Sequence, residues 1–335
     1  MRRERRTVGS RLPFKAILLC AAVLALAATA AGCGRESATD TAGAANGSGT
    51  TSDLSGSIAV DGSSTVGPLT TAAAEGFKTQ APGVDVTVGI SGTGGGFEKF
   101  CNGETDLSDA SREIKDEEAA ACKSKNIDYT SFRVATDALT VVVNKDNDWI
   151  DCITLDQLKA IWGPGSKIDN WKDVPGGDYP DQKLTLTGPG TDSGTFDYFT
   201  AAINGEEDAS RTDYNATEDD NVTVTAVSGD KGGMGYFGYS YYEQNQDKLK
   251  ALAIDSGSGC VDPSVETAQD GTYAPLSRPL FVYVNKEALA RPEVAAFLTY
   301  YIDNLEQIAK DAQFVPLTDD QAAESKAALE GATTR

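Results

Sequence analysis

The chain has 335 residues, with 50 acidic and 29 basic side chains, a formal net charge of −21 and no histidine. So acidic a surface argues against nucleic acid or anionic lipid headgroups as partners. The absence of histidine removes the usual general base of serine and cysteine hydrolases and the commonest zinc ligand. Most secreted hydrolases are therefore disfavoured, and no metal or cofactor is expected.

The N-terminal segment has the pattern of an export signal. Basic side chains precede an apolar run over residues 16–31, which is shorter than the roughly 20 residues that a membrane span needs. The run ends in small residues followed by Cys33, which predicts a lipoprotein signal peptide over residues 1–32 and a lipid on the Cys33 thiol. An ordinary secretory peptide is the alternative, because Ala30 stands where a lipoprotein signal usually has leucine.

Residues 33–56 are rich in glycine, serine, threonine and alanine and are predicted to form a flexible tether. The mature protein would then be anchored to the outer face of the cell membrane. Residues 57–335 exceed the roughly 250 residues at which single cores tend to divide, which indicates two lobes.

Four cysteines lie beyond Cys33, at positions 101, 122, 152 and 260. An even number in an exported protein favours two disulfides over free thiols. Chain order suggests that Cys101 pairs with Cys122 and that Cys152 pairs with Cys260, although three pairings are formally possible.

Short apolar strands alternate with amphipathic helices along the body of the chain. Strands are predicted at 58–60, 84–90, 139–143, 184–187, 222–227 and 280–284. Helices are predicted around Leu69, Ala73 and Phe77, around 97–101, and at 114–123, 155–161, 196–203, 292–304 and 319–329. This order predicts an α/β fold with a largely parallel sheet covered on both faces.

Two of these strands, 139–143 and 280–284, are alike, and each leads into Asn-Lys. They bracket an inserted α/β unit, which predicts a two-lobed protein with two hinge crossings. Residues 57–138 and 286–335 would form lobe I, and residues 139–285 would form lobe II with the hinge strands. The alternative is that the Val-Asn-Lys sequence shared by the two strands is a coincidence.

Four turns rich in small or hydroxyl residues follow predicted strands: Asp61–Thr65, Ser91–Gly96, Asp109–Arg112 and Thr191–Thr195. Unpaired N–H groups at a helix start favour an anion, and serine and threonine add hydroxyl donors. For any one turn, ordinary helix capping is the alternative. Together the turns predict an oxyanion site in a cleft between the lobes.

Arg112 could supply a planar guanidinium suited to a tetrahedral oxyanion, or it could pair with Glu113 or Asp116 at the surface. The string Gly233–Gly238 fits the G-x-G-x-x-G pattern, but no acidic residue on a following strand supports a dinucleotide site.

From Ser57 onward the chain resembles the PstS family, the periplasmic phosphate-binding proteins of phosphate ABC transporters. The resemblance is carried by residues 62–69, 91–97, 106–112 and 192–195 and by the Val-Asn-Lys strands. It implies a type II periplasmic-binding-protein fold without enzymatic activity, which passes phosphate to membrane permease subunits. The phosphate ligands that it implies are Ser64, Thr65, Thr93, Ser111, Arg112, Ser193, Gly194 and Thr195. We expect the protein to be a monomer.

Some members of this family have an aspartate where this chain has Ser111, and that carboxylate accepts the proton of hydrogen phosphate. Here the acceptor could be Asp61, Asp109 or Asp192. The alternatives are therefore a receptor for another oxyanion, such as sulfate, molybdate or tungstate, a secreted carboxylate-based hydrolase, or a surface lipoprotein that only adheres or signals.

Overall fold

The computed structural model describes residues 51–334. The signal peptide, Cys33 and the tether as far as residue 50 lie outside the described residues. A short 3-10 turn at Thr51–Asp53 and the first strand, which begins at Ser55, fall within the range predicted as tether. Ser55 pairs with Gly83 of the next strand, so the ordered sheet begins two residues before the expected boundary. Within residues 51–334, no helix combines the length and apolar character required to cross a membrane.

Most of the strands are short and several are buried on both faces. They are β1 (Ser55–Gly62), β2 (Gly83–Ile90), β3 (Leu107–Ala110), β4 (Tyr129–Asn144), β5 (Cys152–Thr154), β6 (Thr185–Gly188), β7 (Asn215–Ala216), β8 (Gly233–Gly238), β9 (Leu249–Ala251), β10 (Ala253–Asp255), β11 (Cys260–Val261) and β12 (Ser277–Asn285). The main sheet has the order β2-β1-β3-β12-β4-β8-β6-β7, with β9 also on β4, and β11-β10-β5 form a small separate sheet.

The main sheet is mixed, whereas a largely parallel sheet was expected. β1 runs parallel to β2 and β3, and β6 runs parallel to β7 and β8. Between these two parallel groups, β12 is antiparallel to both β3 and β4, and β4 is antiparallel to β8. The two strands predicted to cross between the lobes are the strands that break the parallel pattern.

β4 is a single strand of 16 residues, of which only 139–143 was predicted. Its first part pairs with β12 as far as Ala138, and its second part pairs with β8 from Leu139. The first part is less apolar in sequence, with Arg133, Thr136 and Asp137 among its residues, so periodicity alone did not reveal it. One strand therefore belongs to both halves of the sheet.

Helices cover the sheet on both faces. They are α1 (Gly67–Lys78), α2 (Gly92–Cys101), α3 (Asp116–Ser124), α4 (Leu155–Trp162), α5 (Gly194–Phe199), α6 (Asp220–Gly229), α7 (Tyr239–Gln244), α8 (Val265–Gln269), α9 (Lys286–Leu289), α10 (Pro292–Asp303), α11 (Leu305–Asp311) and α12 (Asp319–Thr333). In α1 the predicted face of Leu69, Ala73 and Phe77 is buried.

The predicted strand at 222–227 is wrong, because these residues lie in α6. The alternating β-branched residues suggested a strand, but Asp219 caps the helix by accepting a hydrogen bond from the backbone N–H of Asn221 at 2.9 Å. Thr223, Val224 and Val227 are the buried residues, which is helical spacing. The capping residue and tertiary burial therefore outweigh local β propensity here.

Two large hydrophobic clusters form most of the core of residues 51–334. One contains Phe77 of α1, Phe297 of α10 and Leu280 of β12, and the other contains Trp162 of α4 and Tyr236 of β8. The first cluster draws on β12 as well as on the segments at the two ends of the described chain. The lobe boundaries at 138/139 and 285/286 remain predictions.

The predicted cysteine pairing is confirmed. Cys101 bonds to Cys122 and joins α2 to α3, and Cys152 bonds to Cys260 and joins β5 to β11. The first pair is buried, whereas Cys260 is exposed.

Candidate functional site

The first predicted turn lies between β1 and α1 and is built against β3. The Ser63 backbone N–H donates to the carbonyl of Asp109 at 2.9 Å, and Ser63 Oγ accepts from the Thr65 N–H at 3.2 Å. Gly62 has φ +151 and lies directly against the Asp109 backbone, so a side chain at this position would clash. These contacts fix the backbone that carries Ser64 and Thr65.

The second and third turns are joined through Thr93 and Ser111. Thr93 Oγ1 accepts from the Ser111 backbone N–H at 3.2 Å and lies 3.0 Å from Ser111 Oγ. The N-terminal end of α2 and the end of β3 therefore present their hydroxyls as a pair.

The fourth turn precedes α5 and approaches the first turn closely. Ser193 Oγ accepts from the Thr195 backbone N–H at 3.2 Å. A Cβ added to Gly194 would lie 2.9 Å from Thr65 Oγ1 and 3.0 Å from Ser64 Oγ, so only glycine allows this approach. The structure thus brings together the first and fourth turns, which are far apart in sequence.

The guanidinium at this site belongs to Arg278 of β12, which the sequence reasoning missed. Its Nη2 donates to Thr65 Oγ1 at 2.9 Å, and its Nη1 donates to Ser111 Oγ at 3.2 Å. Its Nε donates to the carboxylate of Asp137 at 3.2 Å, and both side chains are largely buried. The result is a cation whose two terminal nitrogens point toward hydroxyl groups from two different turns.

Strand register explains this placement. Arg278 pairs with Asp137 across β12 and β4, and Phe281 pairs with Ala110, the residue before Ser111. Nothing in the sequence around Arg278 distinguishes it from an ordinary residue at the start of a strand. The one available signal was its position just before the second predicted hinge strand.

Arg112 is not brought to these hydroxyls. Its Nη1 and Nη2 each donate to a carboxylate oxygen of Glu118 at 2.8 Å, and its guanidinium lies 5.7 Å from the centre of the Phe97 ring. The hydrogen bonds with Glu118 raise the pKa of Arg112 despite its partial burial. A phosphate-binding role for Arg112 stays a prediction.

Two of the three candidate proton acceptors, Asp61 and Asp109, accept hydrogen bonds from neighbouring side chains. Burial raises the pKa of Asp61, but hydrogen bonds from Lys99 and Ser91 outweigh it and leave the pKa below its usual value. Asp109 is fully buried and accepts from Thr70 Oγ1 at 2.9 Å, and its burial raises its pKa to about 7. Asp61 is thus engaged with Lys99 and Ser91, whereas one of the two carboxylate oxygens of Asp109 has no hydrogen-bond partner within residues 51–334.

The third candidate, Asp192, is exposed. A different carboxylate contacts a hydroxyl of the first turn. Asp197 of α5 accepts a hydrogen bond from Ser64 Oγ at 3.3 Å. Burial raises the pKa of Asp197, and the carboxylates of Asp208 and Glu207 raise it further. Asp197 was not among the candidates, because only the packing of α5 against the first turn brings it there.

One long strand shared by two α/β halves, and hydroxyl-rich turns that converge beside a largely buried guanidinium, define the class of periplasmic-type solute-binding proteins. The chain matches the PBP superfamily domain over residues 39–304. It is 42% identical over 277 residues to the phosphate-binding protein PstS of Staphylococcus saprophyticus, which covers 82% of this chain and 85% of that protein. The chain belongs to the PstS family.

The chain is also similar to other known proteins. Protein SphX of Synechococcus elongatus is 48% identical over 263 residues, which cover 78% of this chain and 77% of that protein. The crystal structure of a possible phosphate binding protein from Planctomyces limnophilus superposes with a TM-score of 0.80 at 46% identity and covers 83% of this chain and 99% of that chain. An ABC-type phosphate transport receptor from Vibrio cholerae shares the fold, with a TM-score of 0.62 at 23% identity, 77% coverage of this chain and 99% of that chain.

Proposed function

We propose that this protein captures inorganic phosphate between its lobes and delivers it to the permease of an ABC transporter. The observation that carries the proposal is the fork of Arg278, whose terminal nitrogens lie within hydrogen-bond distance of Thr65 and Ser111. A dehydrated tetrahedral anion needs many donors and a compensating positive charge, and a guanidinium supplies two parallel donors. Relatives that are named phosphate-binding proteins favour a receptor over an enzyme.

The binding site that we propose combines the predicted hydroxyls with the newly found cation. Ser64, Thr65, Thr93 and Ser111 would bind from one side, and Ser193, Gly194 and Thr195 would close from the other, with Arg278 between them. Arg112 would act at the rim. Thr65, Ser111 and Thr93 already contact Arg278 or one another, so the donors need little rearrangement to receive an anion.

We further propose that the mature protein is a monomer attached to the outer face of the membrane through lipid on Cys33. Mass spectrometry of the mature N-terminus should find a diacylglyceryl group on Cys33, and Cys33→Ser should release the protein from the membrane fraction. An unlipidated N-terminus elsewhere would instead support an ordinary secretory peptide.

Isothermal titration calorimetry of the purified protein tests the main proposal. We expect micromolar or tighter binding of phosphate, and weaker binding of sulfate, molybdate and tungstate in competition. Tighter binding of one of those ions would reassign the ligand. No heat with any oxyanion would leave an adhesive or signalling lipoprotein, and turnover of a chromogenic glycoside or phosphoester would indicate a hydrolase.

The carboxylate of Asp197 is expected to set the preference for phosphate over sulfate. A protonated phosphate can donate a hydrogen bond to a carboxylate, whereas sulfate has no proton to donate near neutral pH and would be repelled. Asp197→Asn should therefore weaken phosphate binding roughly 10- to 100-fold and strengthen sulfate binding. Calorimetric titration of both ions at neutral pH measures the change.

The exposed Asp192 provides the matched control, since Asp192→Asn should leave both affinities unchanged. The discrimination in the wild type should decline as pH falls through the raised pKa of Asp197, because protonation removes the negative charge that repels sulfate. This contribution to the pH dependence should be absent in Asp197→Asn. An unchanged ratio of phosphate affinity to sulfate affinity in Asp197→Asn would show that another group accepts the proton of hydrogen phosphate.

A further inference from the structure

Tyr198 lies directly beneath the guanidinium of Arg278. The Cζ atom of Arg278 is 3.6 Å from the centre of the Tyr198 ring, a stacking distance at which the π face attracts the cation. Tyr198 is 7% exposed and belongs to α5, the helix that follows the Ser193-Gly194-Thr195 turn. The ring therefore connects the fourth turn to the cation of the site.

The hydroxyl of Tyr198 makes a second contact with the same segment of chain. It donates to the carbonyl oxygen of Pro275 at 2.7 Å, three residues before Arg278. Burial raises the pKa of Tyr198, so the hydroxyl stays protonated and remains a donor. One side chain thus holds both the backbone that leads into β12 and the guanidinium that extends from it.

Asp137 fixes the remaining side of the guanidinium. Its carboxylate accepts from Nε at 3.2 Å, while the Tyr198 ring covers one face. The two terminal nitrogens are left pointing toward Thr65 and Ser111. A free arginine side chain would lose much rotamer freedom on binding an anion, and a side chain that is already held loses little.

We infer that Tyr198 is a positioning residue of the anion site, which holds Arg278 in the plane from which both terminal nitrogens reach a tetrahedral oxyanion. The inference rests on the proposed capture of phosphate by this site. The aromatic face does the positioning, and the hydroxyl adds a smaller contribution through Pro275.

Three substitutions of Tyr198 separate the ring from the hydroxyl. Tyr198→Leu removes the π face and should raise the Kd for phosphate roughly 5- to 30-fold in calorimetry. Tyr198→Phe keeps the face and should stay within about threefold of the wild type. Tyr198→Met fills similar space without a π face and should behave like the leucine variant, which keeps the comparison available if Tyr198→Leu does not fold.

Tyr273 provides the matched control. It is fully buried in the same hydrophobic cluster as Tyr198, and it is not among the hydrogen-bond, ion-pair or stacking partners of Arg278 within residues 51–334. Within the described residues, its hydroxyl has no hydrogen-bond partner. Tyr273→Leu should lower the thermal stability at least as much as Tyr198→Leu but leave the Kd for phosphate unchanged.

A double-mutant cycle tests whether Tyr198 acts through Arg278. In the Arg278→Ala background, Tyr198→Leu should cause no further loss of phosphate affinity. Equal phosphate binding by the wild type and Tyr198→Leu, an equal loss in Tyr273→Leu, or losses that add in the cycle would each overturn the inference and leave phosphate capture intact. Absence of phosphate binding by the wild type would overturn both.

Discussion

Replacement of Arg278 by alanine is expected to weaken phosphate binding by on the order of 100-fold or more. Truncation of one partner of a buried, hydrogen-bonded charge pair typically costs about 2–5 kcal/mol of binding free energy. Here the loss includes two donors to the anion and strands the carboxylate of Asp137, whose pKa burial already raises. Calorimetric titration with phosphate measures the effect, and circular dichroism checks the fold.

Three further variants make this prediction specific. Arg278→Lys keeps the charge without the planar fork and should recover only part of the affinity. The double variant Asp137→Asn with Arg278→Ala removes the stranded carboxylate and should still bind weakly, so that loss of the ligand is separated from loss of stability. Arg112→Ala should cost much less than Arg278→Ala, because Arg112 is already engaged with Glu118.

A larger loss in Arg112→Ala than in Arg278→Ala would reverse these roles. It would mean that Arg112 leaves Glu118 to bind the anion and that Arg278 mainly supports the strands. Intact phosphate binding in both variants would exclude a guanidinium from the site altogether.

Removal of the Cys152–Cys260 disulfide, by replacement of both cysteines with serine, is expected to lower the free energy of unfolding by about 5 kcal/mol. The bond closes a loop with a sequence separation of 108 residues, and a crosslink restricts the unfolded chain more as the loop lengthens. Urea denaturation followed by tryptophan fluorescence measures the change. Phosphate affinity should be unaffected, because the bond joins β5 to β11 and none of the proposed ligands lies in these strands.

The Cys101–Cys122 disulfide provides the comparison. Its sequence separation is 21 residues, so the same argument assigns it about 3 kcal/mol. Both cysteines of this pair are buried, and replacement by alanine suits them better than serine because it adds no unpaired hydroxyl. A smaller effect for Cys152–Cys260 than for Cys101–Cys122 would contradict the loop-length argument.

The turns were predictable because their chemistry is local. Ser193 is recognisable as a capping residue, and Gly194 as a position of close approach, from a few neighbouring residues. The partners of these turns were not predictable, because the close approach of Gly194 to Ser64 and Thr65 depends on how α5 packs against the first turn.

The two arginines of this region also separate what is visible locally from what depends on long-range packing. Arg112 was predicted because it follows Ser111 directly, and sequence adjacency is visible. Arg278 and Asp137 are 141 positions apart and meet through the register of β12 against β4. The residues of β4 that pair with β12 belong to its more polar first half, whose sequence has no clear periodicity.

The amino-acid sequence by itself determined the α/β order and the four turns, because each depends on residues close together in the chain. It favoured the pairing of cysteines in chain order, which the structure then confirmed. The tertiary structure alone decided that the central sheet is mixed and that 220–229 is a helix. It also decided that Arg278 and Asp197 contact the hydroxyls of the turns and that Tyr198 stacks on Arg278. Long-range strand register and helix packing bring these groups together, and neither leaves a local pattern in the residues that they join.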